Sequence, residues 1–113
     1  METIDIICQH VYRNSDISPP SINETTLRAL LQSCTTECPF QNLDGKLYTQ
    51  IDGVSMGSPL GVTFANFYMS HLENKVFENS PNLKPTVYSR YVDDCFIIVN
   101  SPDEIEQLIE AFK

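Results

Sequence analysis

The sequence has few basic residues: seven Lys and Arg stand against fifteen Asp and Glu, and the net charge is −8. Proteins hold nucleic acid largely through Lys and Arg that neutralise phosphates, so this charge predicts weak or no nucleic-acid binding by the chain alone. The sequence also lacks an apolar run of membrane-spanning length and a signal-peptide pattern, since Glu2 and Asp5 interrupt its start. These absences predict an intracellular protein, in the nucleus or the cytoplasm, that is neither secreted nor bound to a membrane.

Metal-binding cysteine patterns are also missing. The sequence has four cysteines but no C-x-x-C pair, and its two histidines are isolated. A structural zinc site needs paired ligands at such spacing, so zinc binding is not expected. Cys8, Cys34 and Cys95 lie among apolar residues, which predicts buried free thiols in a reducing compartment. The length of 113 residues and the hydrophobic fraction of 42% fit one small globular domain.

Apolar residues recur at helical spacing in four segments. The predicted helices cover residues 4–13, 22–36, 60–77 and 102–113. Ser21 and Glu24 match a capping box at the start of the second helix, and its predicted apolar face includes Leu30 and Cys34. The third helix is apolar on nearly all sides in its first half, which predicts that it is buried against a sheet.

Two strand pairs are predicted between these helices. Residues 40–51 contain Asp44-Gly45 between apolar runs, which favours a hairpin whose two central residues have positive φ. Residues 87–99 are predicted to form strand, turn and strand, because they end in strong strand formers. Helices and short antiparallel strands in this order predict an α+β fold.

Asp93 and Asp94 stand between two apolar half-strands. Asp is common at turns, so one interpretation is simply a hairpin turn. The other is a metal site, because adjacent carboxylates at a strand reversal project toward one point and Mg²⁺ prefers oxygen ligands. Two-metal phosphoryl transfer uses such carboxylates to hold ions about 3.5–4 Å apart.

Residues 55–61 (SMGSPLG) form a separate glycine-containing segment earlier in the chain. Ser58 and Pro59 are expected to be the N-cap and first residue of the third helix. A capped helix does not explain why Gly57 and Gly61 flank them so closely. Glycine lets another molecule approach the backbone, and a helix N-terminus offers N–H groups to an anion. A phosphate or a base pair lying against Gly57 is therefore physically sensible.

The two blocks together, residues 50–61 (QIDGVSMGSPLG) and residues 90–99 (RYVDDCFIIV), resemble motifs B and C of the reverse transcriptase palm. The wording of the first block is most similar to Penelope-like retroelements. In this resemblance residues 1–51 lie between motifs A and B, and residues 52–113 are the palm segment with motifs B and C. The implied fold is a partial polymerase palm, in which a small antiparallel sheet with the Tyr-x-Asp-Asp hairpin packs on helices.

The resemblance implies an RNA-directed DNA polymerase that adds dNTPs to a primer 3′-hydroxyl by a two-metal mechanism, with an RNA or DNA template–primer as its partner. Asp93 is the implied main Mg²⁺ ligand and Asp94 the accessory one. The implied substrate-binding positions are Tyr91, near the primer terminus, and Met56, Gly57, Ser58 and Pro59. Many reverse transcriptases have Gln in the position of Met56, and Met cannot make the same hydrogen bond to the nucleotide.

The family also has a motif A aspartate, and no aspartate of this sequence fits it. Asp5 lies in the first helix, Asp16 in a turn before two prolines, and Asp44 and Asp52 flank the hairpin. The family pattern would place this strand before the first residue, so the chain is expected to be an inactive fragment by itself. The alternative is a retained non-catalytic domain that binds a protein partner through exposed apolar surface. An RNA-templated RNA polymerase is a third interpretation, against which the wording of residues 55–61 argues.

Overall fold

The computed structural model describes residues 2–55 and 57–113. This part of the chain contains four α-helices, four short strands and one turn of 3₁₀-helix. Their order is α1 (Glu2–Arg13), α2 (Glu24–Thr36), β1 (Pro39–Gln41), β2 (Leu47–Thr49), α3 (Gly61–Asn79), the 3₁₀-helix (Pro81–Leu83), β3 (Val87–Tyr91), β4 (Asp94–Ile98) and α4 (Pro102–Ala111). The predicted α+β class is confirmed, and the strands form two separate antiparallel pairs, β1 with β2 and β3 with β4.

The chain divides into two compact units, Met1–Phe67 and Tyr68–Lys113. The first unit contains α1, α2 and the β1–β2 hairpin, and the second contains the β3–β4 hairpin and α4. Helix α3 begins in the first unit and ends in the second. None of the helices in the described ranges is long and apolar enough to cross a membrane.

The core of the first unit is a helical cluster. Its buried members are Ile4, Ile7 and Cys8 of α1 and Phe64 of α3. Leu27 and Leu31 of α2 are partly buried against it. The apolar face predicted for the first helix is therefore confirmed. The first half of α3 contributes to a cluster of helices, so its predicted burial against a sheet is wrong.

Helix α2 is capped by a different residue from the one predicted. The side-chain oxygen of Asn23 accepts a hydrogen bond from Thr26 N at 2.7 Å, and the helix begins at the next residue. The predicted capping box of Ser21 and Glu24 is therefore wrong. Asn and Ser are about equally good N-caps, so local preference did not distinguish the two starts.

The cysteines differ in their burial, and all four are free thiols. Cys8 is buried as predicted, and this burial raises the pKa of its thiol. The predicted burial of Cys34 and Cys95 is wrong, since both are exposed. Cys34 lies with the exposed Leu30 away from the face of α2 that meets α1, and Cys95 lies on β4, where every residue is exposed.

The β1–β2 hairpin forms where it was predicted, with a different turn. Gly45 N donates to Asn42 O at 2.9 Å, and Gly45 has a φ of 79° while Asp44 does not have positive φ. This is a three-residue loop that places only glycine in the left-handed region, which spares Asp44 the unfavourable conformation of the expected two-residue turn. The rings of Phe40 and Tyr48 stack across the strands at 5.9 Å, and every residue of both strands is exposed.

In the second unit, α3 packs behind β3. The ring of Phe77 meets Tyr88 of β3 edge-to-face at 5.1 Å, and it meets Phe112, just after α4, at 6.0 Å. Val76 and Leu108 are buried. This packing leaves the opposite side of the β3–β4 hairpin, including all of β4, exposed to solvent.

Candidate functional site

The Tyr-x-Asp-Asp sequence forms the tip of the β3–β4 hairpin. Tyr91 and Asp94 are the last paired residues, which leaves Val92 and Asp93 as a two-residue turn. Val92 has a φ of 58° and is the only non-glycine residue with positive φ in the described part of the chain. Two-residue hairpin turns need positive φ at one or both central residues, because only then does the turn follow the twist of the strands.

This backbone conformation is unfavourable for valine. The left-handed region is normally occupied by Gly, Asn or Asp, and a branched Cβ makes it more costly. A residue held there costs about 1–3 kcal/mol and persists only when its surroundings over-determine it. Such residues are concentrated at active sites and ligand-binding turns. The pairing of β3 with β4 therefore imposes on Val92 a geometry that its own preference disfavours.

The predicted catalytic carboxylates lie at this tip. Asp93 occupies the turn and Asp94 begins β4, and both are exposed, as is Tyr91 at the end of β3. The structure thus brings these three sequence-predicted site residues together at one solvent-accessible place. Within residues 2–55 and 57–113, no group of three or more His, Cys, Asp or Glu side chains is arranged to hold a metal ion. Asp93 and Asp94 alone could supply only part of the ligands that a Mg²⁺ ion needs.

A buried polar network connects the hairpin to α3. Glu73 forms an ion pair with Arg90 Nε, and the same carboxylate oxygen accepts a hydrogen bond from the Tyr88 hydroxyl at 2.8 Å. Arg90 Nη1 donates to the carbonyl of Val92 at 3.0 Å. The side chains of Arg90 and Glu73 are only 9% and 12% exposed. The network therefore reaches from α3 to the strained residue of the turn.

The electrostatics of this network favour its present protonation states. The hydrogen bond to Glu73 raises the pKa of Arg90, which stays charged. Burial raises the pKa of Tyr88 well above its ordinary range, and the hydrogen bonds to Cys95 and Glu73 add to this effect. Tyr88 Oη lies 3.6 Å from the sulfur of Cys95. The phenol is thus kept neutral, so that it can donate to the carboxylate.

Sequence reasoning missed the roles of Glu73 and Arg90. Arg90 directly precedes Tyr91 in the segment of residues 90–99, but the sequence alone indicates no role for it. In the sequence, Glu73 is an ordinary charged residue of a long helix. It is seventeen positions from Arg90, so no local pattern links the two residues. The one available signal is that each would otherwise be a charged side chain beside apolar neighbours, which requires a partner of opposite charge.

The loop before α3 contains a separate turn. Ser58 N donates to Ser55 O at 3.1 Å, and Gly57 has a φ of 88°. A Cβ atom added to Gly57 would meet no heavy atom within 4 Å. Glycine is therefore required here by the backbone conformation, and the space beside it is open. Ser58 is half-buried and Pro59 is exposed.

Helix α3 begins at Gly61, one residue after the start of the predicted range of 60–77 and two residues after Pro59. Ser58 Oγ accepts from Leu60 N at 3.3 Å and Ser58 O accepts from Gly61 N at 3.0 Å, which makes a turn ahead of the helix. The first helical bond runs from Phe64 N to Leu60 O at 2.8 Å, and the helix starts at Gly61. The prediction that Ser58 and Pro59 are the N-cap and first helical residue is therefore wrong.

The expected site residues fall into the two units. Tyr91, Asp93 and Asp94 belong to the second unit, Gly57, Ser58 and Pro59 belong to the first, and Met56 lies outside the described residues. Comparisons of the chain with family profiles, curated proteins and solved structures found no match. A functional assignment therefore depends on the residues and the geometry given above.

Proposed function

We propose that this chain is the part of a reverse transcriptase palm that carries motifs B and C, and that Asp93 and Asp94 bind Mg²⁺ for RNA-directed DNA synthesis. The observation that carries the proposal is the hairpin tip, where both aspartates are exposed beside a valine with a φ of 58°. A hairpin turn with no further role is more stable with Gly or Asn at that position. The free-energy cost of holding Val92 at positive φ supports a turn whose conformation serves a function beyond closing the hairpin.

The residues present fit a magnesium ion. Their donor atoms are carboxylate oxygens, which hard cations prefer, and Mg²⁺ is commonly held by one or two carboxylates with water and substrate phosphates as its other ligands. Exposure of Asp93 and Asp94 leaves room for those ligands. When bound there, Mg²⁺ would neutralise phosphate charge and make the primer hydroxyl a better nucleophile.

The chain's own residues would position the substrates. Asp93 would be the main metal ligand and Asp94 the accessory one, with Tyr91 beside the primer terminus. The open space at Gly57 would lie against the incoming nucleotide or its base pair. In the reaction, the primer 3′-oxygen forms a bond to the α-phosphorus of the dNTP, the bond to pyrophosphate breaks, and the hydroxyl proton is released. Positioning and charge stabilisation would supply most of the catalysis.

The chain alone is proposed to be inactive. The described residues offer two adjacent aspartates and no third carboxylate near them in a metal-binding group. The net charge of −8 also opposes binding of a template–primer by this chain without further parts. In a Mg²⁺-dependent primer-extension assay on an RNA template, we expect no product from the chain or from its Asp93→Ala variant. Extension that disappears with this substitution would show that another carboxylate completes the site.

Metal binding at the tip can be tested without activity. Mn²⁺ takes the same oxygen ligands as Mg²⁺, and its unpaired electrons broaden the NMR signals of nearby amides. We expect broadening centred on Asp93 and Asp94 that excess Mg²⁺ reverses and that Asp93→Asn abolishes. Asp103→Asn, which changes an exposed aspartate in the first turn of α4, is the matched control and should leave the effect unchanged. Broadening that survives Asp93→Asn would contradict the proposed site.

A second candidate function is a non-catalytic domain that acts by protein–protein interaction. It is favoured by the apolar residues that β4 leaves in solvent, Phe96, Ile97 and Ile98. Exposed apolar patches often mark interaction surfaces. For this function, Phe96→Ser should abolish association with the partner while Asp93→Asn leaves it unchanged. The polymerase proposal instead expects Asp93→Asn to abolish metal binding at the hairpin tip.

A further inference from the structure

The Glu73–Arg90 ion pair is connected to the turn that carries Asp93. Arg90 uses two edges of its guanidinium, since Nε donates to Glu73 and Nη1 donates to the Val92 carbonyl at 3.0 Å. We propose that this pair positions the turn, and thereby Asp93, for metal binding, and we call it the Glu73–Arg90 clamp. The clamp rests on the proposed function, because its purpose is the geometry of a metal ligand.

The turn needs such a support. Positive φ at a β-branched residue is unfavourable and is retained only where surrounding contacts impose it. The Tyr91–Asp94 pair closes the strands below the turn, and Val92 and Asp93 lie beyond this last pair. Arg90 contacts the turn itself, through its hydrogen bond to the Val92 carbonyl. The peptide group that precedes Asp93 is therefore held by a side chain from the neighbouring strand.

Arg90 is itself held rigidly. Its side chain is buried, and the ion pair with Glu73, whose side chain is also largely buried, holds one edge of the guanidinium. A guanidinium is planar and presents its donors in a fixed fork, so orienting one edge orients the other. Partners of this kind that orient a metal ligand commonly change metal affinity 10–100-fold when they are removed. Glu73 and Arg90 are thus positioning residues, which act on the metal through Asp93.

Arg90→Lys is the decisive variant. It keeps the charge beside Glu73, but an ammonium has all its donors on one nitrogen and cannot reproduce the fork. We expect the strong intraresidue HN–Hα NOE of Val92, which is the NMR signature of positive φ, to be lost. We also expect Mn²⁺ affinity at Asp93 and Asp94 to fall by about tenfold or more. Glu73→Gln keeps the shape of the acceptor without its charge and should produce the same changes to a smaller extent.

Tyr88→Phe is the matched control. It removes a hydrogen bond to the same carboxylate and leaves Arg90 and Val92 in place. A network that only stabilises the fold would respond to all three variants in parallel, whereas the clamp predicts that Tyr88→Phe lowers thermal stability but retains the NOE and the Mn²⁺ affinity. Circular dichroism confirms that each variant is folded, and Glu73→Gln replaces Arg90→Lys in the comparison if the latter does not fold.

The outcomes are distinct. An Arg90→Lys or Glu73→Gln protein that is folded and retains both the NOE and the affinity overturns the clamp, and so does a Tyr88→Phe protein that loses both. If the unsubstituted chain does not bind Mn²⁺ at Asp93 and Asp94, the proposed function fails. The NOE of Val92 then still decides whether Arg90 controls the turn.

Discussion

Replacement of Val92 by glycine should cost much less stability than the same replacement at Val87. The two valines are on one hairpin and are comparably exposed, 49% at Val92 and 39% at Val87. They differ in backbone conformation, because only Val92 has positive φ. The difference between the two variants therefore isolates the strain of the turn.

The magnitude follows from three contributions. Removing either half-buried side chain loses about 1 kcal/mol of transfer free energy, which is about half of the value for a fully buried valine. Glycine then adds about 0.5–1 kcal/mol of unfolded-state entropy at either position. Only at Val92 does the substitution relieve strain of about 1–3 kcal/mol. Val87→Gly should destabilise the fold by about 2 kcal/mol, and Val92→Gly by less than about 1 kcal/mol.

Urea unfolding and thermal unfolding, both followed by circular dichroism, measure this difference. A gap of 1 kcal/mol corresponds to a melting-temperature difference of about 4 °C for a chain of this size. Equal losses of stability in the two variants would refute the strain at Val92. A greater loss in Val92→Gly would mean that its side chain makes contacts that outweigh the cost of its conformation.

Two further predictions concern the core and the polar network. Phe64→Ala should cost about 3–5 kcal/mol of unfolding free energy, because Phe64 is 3% exposed, while Val62→Ala on the same helix, 60% exposed, should cost less than about 1 kcal/mol in the same denaturation assay. The raised pKa of Tyr88 favours its protonated form in the folded state, so its contribution to stability is complete below pH 10.0 and is lost as pH rises through the higher folded-state value. Unfolding free energy measured from pH 9 to 12 should therefore fall at the alkaline end, and Tyr88→Phe should reduce that slope.

Each of these two predictions has a result that would contradict it. Similar losses from the two α3 substitutions would mean that Phe64 is not part of the core. An alkaline slope that is unchanged in Tyr88→Phe would mean that ionisation of another group controls unfolding at high pH.

Elements whose pattern coincides with their packing could be predicted from the sequence. The face of α1 was predictable because Ile4, Ile7 and Cys8 repeat at helical spacing and all enter one cluster. The hairpin at residues 87–99 was predictable because strand formers flank two aspartates that favour a turn. Its assignment as a metal site came from the family resemblance, and the exposed tip is compatible with it.

The errors arose where several local choices have similar energies. Ser21 and Asn23 are both good caps, so the identity of the residues does not distinguish the two starts, and the helix uses Asn23. Asp-Gly is compatible with more than one hairpin loop, and the observed loop needs positive φ at Gly45 alone. Neither choice can be made from the nearest residues.

The contacts of Glu73 and Arg90 belong to a different class. They depend on how α3 packs behind β3, which no local pattern reports. The positive φ of Val92 is also invisible in a propensity scale, because strand pairing imposes it against the preference of the residue. The parts of the candidate site that sequence reasoning missed are therefore those that require the tertiary fold.

Because the four thiols differ in burial, their reaction with a thiol reagent can measure how often the first unit opens locally. Cys34, Cys38 and Cys95 are available to a thiol reagent in the folded chain, whereas Cys8 is enclosed in the helical cluster and becomes reactive only when α1 separates from its neighbours. Three thiols should therefore be labelled in a fast phase and the fourth in a slow one. The rate of the slow phase measures the free energy of that opening, which global unfolding curves do not resolve.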